Sequence, residues 1–146
     1  MADSLAREPR ALAFFLADHA QAVDGKVYAN GAFWNRLNSA VYPSTFQFAV
    51  AAVLEVPWRP ESQQHSFTVR FDDADGAPLG ARLDGQFLVE PNPTLPDGEP
   101  TMIPLTALMN NFVVVAPGTY VAVLEVDGVE LARWSFHAVL TPPGLD

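Results

Sequence analysis

Residues 111–137 read NFVVVAPGTYVAVLEVDGVELARWSFH, and this stretch decides the fold class. Phe112, Val113, Val114 and Val115 are consecutive β-formers, ended by Ala116-Pro117-Gly118, where Pro with Gly forces a turn. Residues 119–126 alternate and are β-branched. Asp127-Gly128 stands between apolar runs, the strongest short-range hairpin signal, and residues 129–139 are the return strand. Two registers are open. A two-residue loop sets Val126 against Val129 and brings Glu125 opposite Glu130, an unfavourable like-charge pair. A three-residue loop over 126–128, with Gly128 left-handed in a bulge, sets Glu125 against Val129. It gathers Tyr120, Ala122 and Leu124 on one face with Ala132 and Trp134, and is the register expected.

The Gly118-Thr119-Tyr120 segment at the start of this strand resembles the tyrosine corner of immunoglobulin-like sandwiches. In those folds the tyrosine hydroxyl bonds back to upstream backbone. Ala116 stands where many members carry Asp, and Ala122 where antibody domains carry their second Cys. The resemblance is therefore to the wider sandwich class. An ordinary turn before a core strand accounts for the same residues.

Outward from this stretch, 146 residues are one domain of ordinary size with room for a full core. About half the residues are apolar (49%), which argues against wholesale disorder. Thirteen Pro and nine Gly supply the turns that an all-β domain needs. The chain has no Cys, which excludes a disulfide scaffold, a Cys-based zinc site and a thiol nucleophile, and fits a cytoplasmic location. Its formal net charge of −9, with Lys26 as its one Lys and its Arg scattered, argues against nucleic-acid partners and anionic membranes. No apolar run reaches the ~20 residues of a membrane helix, and the start, MADSLAREPR, lacks the pattern of a secretory signal.

In chain order, residues 1–10 read as a flexible tail and 11–146 as a single domain. Residues 11–22 fit both a helical face and a buried strand. The expectation is a strand to about Ala17, then a helical turn over 18–23 capped by Asp18 and ended at Gly25. Residues 26–34 form the next strand, with Gly31 marking a bulge or close approach, and 35–44 a polar connection. Residues 45–56 alternate strictly: Phe46, Phe48, Val50, Ala52, Leu54 and Val56 face a core. Their opposite face is small and weakly polar, as though something lies over it. Residues 65–72 alternate again, 73–76 turn, and 81–83 and 86–90 are short strand pieces around Asp84-Gly85. The Pro-rich stretch 91–100 is a surface crossing between sheets. Leu105, Leu108 and Met109 sit at i, i+3 and i+4, which predicts a short helical turn over 104–110. The sum is an all-β, immunoglobulin-like Greek-key sandwich of seven or eight strands with one or two short helical turns.

The phrase LADHAQAVDGKVYANGAFW, the Pro-linked alternating strand after it and the late GTYVAVLEVDG are together similar to a family of small bacterial proteins of unknown function. That resemblance implies a β-sandwich and brings no catalytic residues, cofactor or partner.

Candidate sites are weighed against plainer readings. Asp72, Asp73 and Asp75 before Gly76 suggest a calcium loop, but the bidentate Glu and flanking helices of an EF-hand are missing, and an acidic hairpin tip explains them. His19, His65 and His137 lack ligand spacing and read as turn, strand-edge and solvent-facing residues. Asp18-His19 beside Lys26 lacks a nucleophile motif. Trp34, Trp58, Tyr28 and Tyr42 are candidate ligand contacts, set against the reading that they close the ends of the core. The outer face of the last hairpin, Val121, Val123, Val129 and Leu131 with Arg133 and Glu125 between them, is more apolar than a solvated face and is the candidate interaction surface. The functional expectation is a non-catalytic module without cofactor or metal that self-associates or docks onto a protein. A binder of small polar ligands or glycans comes second and a metal-dependent hydrolase last.

Overall fold

The computed structural model describes residues 8–96 and 98–142. These residues form nine strands and no helix: β1 (Arg10–Val23), β2 (Lys26–Ala32), β3 (Arg36–Ser39), β4 (Ser44–Val56), β5 (Gln63–Asp73), β6 (Pro78–Val89), β7 (Thr101–Val114), β8 (Gly118–Val126) and β9 (Val129–Leu140). They build a four-stranded sheet of order β2-β1-β4-β7 and a five-stranded sheet of order β3-β9-β8-β5-β6. Every pairing is antiparallel except β3 with β9. Residues 1–7 of the expected tail lie outside the described residues. Arg10, the last residue of that stretch, starts β1, and its guanidinium meets Glu55 at 2.7 Å.

Both expected helical turns are strand. Residues 18–23 continue β1 into a hairpin with β2, closed by Asp24-Gly25 with φ of 51° and 75°, the positive pair a two-residue type I′ turn requires. Residues 104–110 lie inside β7. Leu105 and Met109 belong to the core side and Leu108 points out, as a strand demands. A bulge at Asn110-Asn111 then lets Phe112 and Val114 return to the core, and Asn111 takes φ 56°. Leu108 is an apolar residue on the outward face, and its place between Leu105 and Met109 imitates helical spacing in the sequence. Residues 35–44 hold a short strand, β3, which buries Leu37. Asp84-Gly85 is no turn but the middle of β6: a Cβ on Gly85 would lie 2.6 Å from the Phe67 ring, so the glycine makes room for an aromatic neighbour.

At the last hairpin the two-residue loop forms, with Val126 opposite Val129 and Glu125 opposite Glu130. The three-residue loop expected from charge is therefore corrected. Arg70 of β5 resolves the repulsion: its Nη1 donates to Glu125 and its Nη2 lies 3.9 Å from Glu130, while Arg133 also donates to Glu130. A bulge at Leu131 follows, so Leu124 faces Ala132 and Ala122 faces Trp134, and the expected grouping of rings on one face is recovered by another route.

The sheets close on a phenylalanine core. Phe48 and Phe112 from the four-stranded sheet meet Phe71 and Phe136 from the five-stranded one, with centroids 4.8–6.3 Å apart, in tilted or edge-on contacts. A second, smaller cluster lies on the opposite face of β1 and β4, where Phe15, Ala17 and Ala51 are buried. Ala20, Val27 and Ala32 of the β1–β2 hairpin pack against it, and both hairpin strands approach β7 although sheet order sets β2 at the far edge. The sheet therefore coils, and its hairpin covers the alanine face. Alanines on that face permit a close approach that larger side chains would block.

Candidate functional site

The outer face of the five-stranded sheet is not the open apolar patch that its sequence suggests. Val123 is 0% exposed and stands between Arg70 and Arg133 in the sheet. Val121 is half-buried, and Leu131 is turned toward the core by the bulge, leaving Val129 exposed beside the turn. Arg133, Val123, Arg70 and Arg82 form one register-matched row across β9, β8, β5 and β6. Carboxylates answer each guanidinium: Glu130 for Arg133, Glu125 and Asp72 for Arg70, and Asp84 for Arg82. Hydrogen bonds from Arg82 and Thr68 hold the Asp84 carboxyl below its ordinary range, and Arg133 does the same to Glu130. This ladder seals the face, because aliphatic arginine stems cover apolar surface while their heads remain paired.

The acidic tip that suggested a calcium loop is consumed by turn chemistry. Asp73 Oδ1 accepts the N–H of Asp75 and of Ala77, each at 2.9 Å, and Asp72, buried, accepts from Arg70. Among the described residues no group of acidic or histidine side chains is arranged to hold a metal ion.

The four aromatic candidates do not converge. Tyr42 and Trp58 flank opposite ends of β4, which at ~3.3 Å per residue spans about 40 Å. The Tyr42 hydroxyl donates to Val139 O at 2.9 Å. Trp34 packs edge-on against Phe48 in the core, and its carbonyl accepts the Trp134 Nε1–H at 3.0 Å. Trp58 is half-buried beside Asn92, and Tyr28 is exposed on β2. The exposed aromatic the sequence did not single out is Phe33. It is 61% exposed with φ 67°, stacked on Phe15 at 4.2 Å and edge-on to Trp134 at 5.8 Å. A bulky residue in the left-handed region is held there by surrounding contacts.

His65 also differs from its expected place at a strand edge. It is buried on the core side of β5 and stacked on Phe87. Its Nδ1 lies 2.6 Å from Asp127 Oδ2 and its Nε2 3.1 Å from Gln63 Oε1. Gln63 is oriented by Arg59 donating to Oε1 and by its own Nε2 donating to Pro57 O. Asp127 Oδ1 accepts from Ser66 N–H as well. Burial pushes the Asp127 carboxyl up, but the hydrogen bonds from His65 and Ser66 outweigh it and the net displacement is downward. An Asp–His pair invites comparison with a general base, yet here the second ring nitrogen is committed to Gln63. The arrangement is a strut that ties the β8–β9 turn to β5. Alternation of His65 with Phe67, Val69 and Phe71 was the signal that placed it inward.

At the opposite end, the Tyr120 hydroxyl donates to Ala116 O at 2.5 Å.

Among the described residues two long strands, β6 and β7, end their sheets, and β6 is guarded by the Arg82–Asp84 pair. β7 ends the four-stranded sheet, runs fourteen residues and carries no charged side chain; none occurs from Pro100 through Leu124. Met102, Leu108 and Val113 are about half exposed along it (55%, 48% and 55%). Natural edge strands are blunted by charge, shortness, bulges or proline; β7 has only Pro104 and the bulge at Asn110-Asn111.

Among the described residues no helix is long and apolar enough to cross a membrane. Comparison with the curated proteins finds no match. Among solved structures, the chain is similar to the Pseudomonas fluorescens alkylpurine DNA glycosylase AlkC bound to DNA containing an abasic site analog (TM-score 0.52, 14% identity, 90% of this chain and 30% of that one). It is also similar to a β-glucosidase from Listeria innocua in complex with glucose (TM-score 0.51, 10% identity, 90% of this chain and 16% of that one). At such identities the likeness is one of fold, and the chain spans less than a third of either protein. A family model matches residues 12–139, nearly the whole of the two sheets, and the chain therefore belongs to the Family of unknown function (DUF6941).

Proposed function

We propose that this chain is a non-catalytic interaction module, an immunoglobulin-like Greek-key sandwich that docks onto a protein partner by adding a strand to β7. The observation that carries the reading is the uncharged fourteen-residue edge with Met102, Leu108 and Val113 exposed along it. Strand addition obtains affinity from backbone hydrogen bonds and specificity from alternate side chains. The Tyr120–Ala116 hydrogen bond and the parallel edge pairing of β3 with β9 support the immunoglobulin-like reading. In the two similar structures the matched portion is a minor part of a longer chain, which accords with a sandwich serving as an accessory unit. The hairpin face formed by Val121, Val123, Val129, Leu131 and Arg133 is not favoured as the docking site, because its central valine lies beneath paired arginines. The absence of cysteine supports a cytoplasmic site of action.

The test is a pull-down from the native host with wild-type chain and with Leu108→Lys and Val113→Lys variants of unchanged circular dichroism. A specific partner captured by wild type and lost by both variants supports docking at β7. Identical captures by all three would sink the reading.

A further inference from the structure

We infer that the strand received by β7 is the β7 of a second copy, paired antiparallel about a two-fold axis. This inference rests on the strand-addition reading above and names its occupant.

Three observations lead to a copy in place of an unlike partner. The first is charge. The molecule carries −9, so two copies repel wherever their acidic surfaces meet. A basic partner would seek carboxylates, and β7 carries none. What β7 offers is neutral along its whole length, the one kind of strip on which two like-charged chains can join without juxtaposing carboxylates. Glu99 and Glu125 are the nearest charged residues in sequence on either side. On the neighbouring β4 the only charged side chain is Glu55, already paired with Arg10.

The second is symmetry. An antiparallel strand paired with its own copy is isologous: each outward N–H donates to a C=O of the other copy and each outward C=O accepts from an N–H, with no second surface required. Between Pro104, which has no N–H to donate, and the bulge at Asn110-Asn111 lies a regular run, residues 105–109, on which such an axis can be centred.

The third is size. Fourteen residues at ~3.3 Å each give about 46 Å of edge, and a sheet thickness of ~10 Å makes roughly 500 Å² per copy. That is at the lower limit for a specific interface, so the pair is a reversible, concentration-dependent dimer and not an obligate one.

The chain has no native cysteine, which makes single-cysteine variants clean reporters. The first measurement is mass in solution by light scattering over a wide concentration series, expected to rise from one chain toward two. Leu108→Lys should weaken this dimer at least tenfold without altering circular dichroism, and mixing Leu108→Lys with Leu108→Glu should restore a mixed dimer, since both charges then meet across one axis. Under mild oxidation whichever of Thr106→Cys and Leu108→Cys lies nearer the two-fold axis should form an intermolecular disulfide well above Tyr28→Cys, which sits on the other edge strand of the sheet. A chain that stays monomeric at every concentration, with all three cysteine variants cross-linking equally little, overturns self-pairing. The host pull-down then still decides separately whether β7 takes a different protein.

Discussion

The two sheets protect themselves in different ways. The five-stranded sheet covers its outer face with charge: three arginines in one row, each answered by a carboxylate, over a valine sealed to 0% exposure. The four-stranded sheet covers its outer face with its own β1–β2 hairpin, laid over alanines, and leaves a neutral edge strand bare. Of its cations, Arg10 and Lys26 lie on β1 and β2 of the four-stranded sheet, and none lies on β7. The contrast teaches that a run of valines in an outward-facing strand need not be sticky, and that a strand with no charge at all is the place to look for contact.

The comparison can be broken most sharply at Val123. If the arginine ladder truly seals it, Val123→Ala removes two buried methyl groups and should cost about 1.5–3 kcal/mol in urea unfolding. A loss below about 0.5 kcal/mol would mean that the face is open after all. On the other sheet, Ala51→Leu forces extra volume under the hairpin and should cost about 1–3 kcal/mol, read as a lower thermal midpoint. A neutral result would place the hairpin away from that face. Arg70→Met keeps the stem over Val123 but removes the bridge between Glu125 and Glu130 and the partner of buried Asp72, so a loss of about 1–2 kcal/mol, shrinking at low pH, is expected.

Acid offers a finer test. The carboxyls of Asp127, Glu130 and Asp84 lie below their ordinary range in the folded chain. A group depressed on folding stabilises above its unfolded pKa and loses that contribution as pH falls through the folded one. Stability should therefore be level near neutrality and decline below about pH 4. The Asp127→Asn variant should show a shallower decline, and an unchanged slope would remove the His65–Asp127 contact from the account.

Much of the fold was written locally. Strict alternation over 45–56 and 65–72 marked the two central strands and their core residues, and Pro-rich 91–100 marked the crossing between sheets. The signals that point away from the fold are local as well. Outward-facing Leu108 gave β7 a helical spacing with Leu105 and Met109, and Gly85 resembles a turn although it answers the Phe67 ring on the neighbouring strand. Asp24-Gly25 closes the first hairpin with the same dipeptide that closes the last, yet it suits a helix stop equally well, because the residues before it fit either period.

By itself the sequence determined the all-β class, the inward-facing phenylalanines and the charge-free stretch from Pro100 to Leu124, since side-chain alternation and composition are properties of neighbouring residues. Only the tertiary structure decided which outward face is sealed and which edge is left bare. Arg70 reaches Glu125 across fifty-five residues of chain, and β7 becomes an edge only because β1 takes the other side of β4. Long-range pairing of this kind depends on register and coiling across the whole sheet, which no short window of sequence contains.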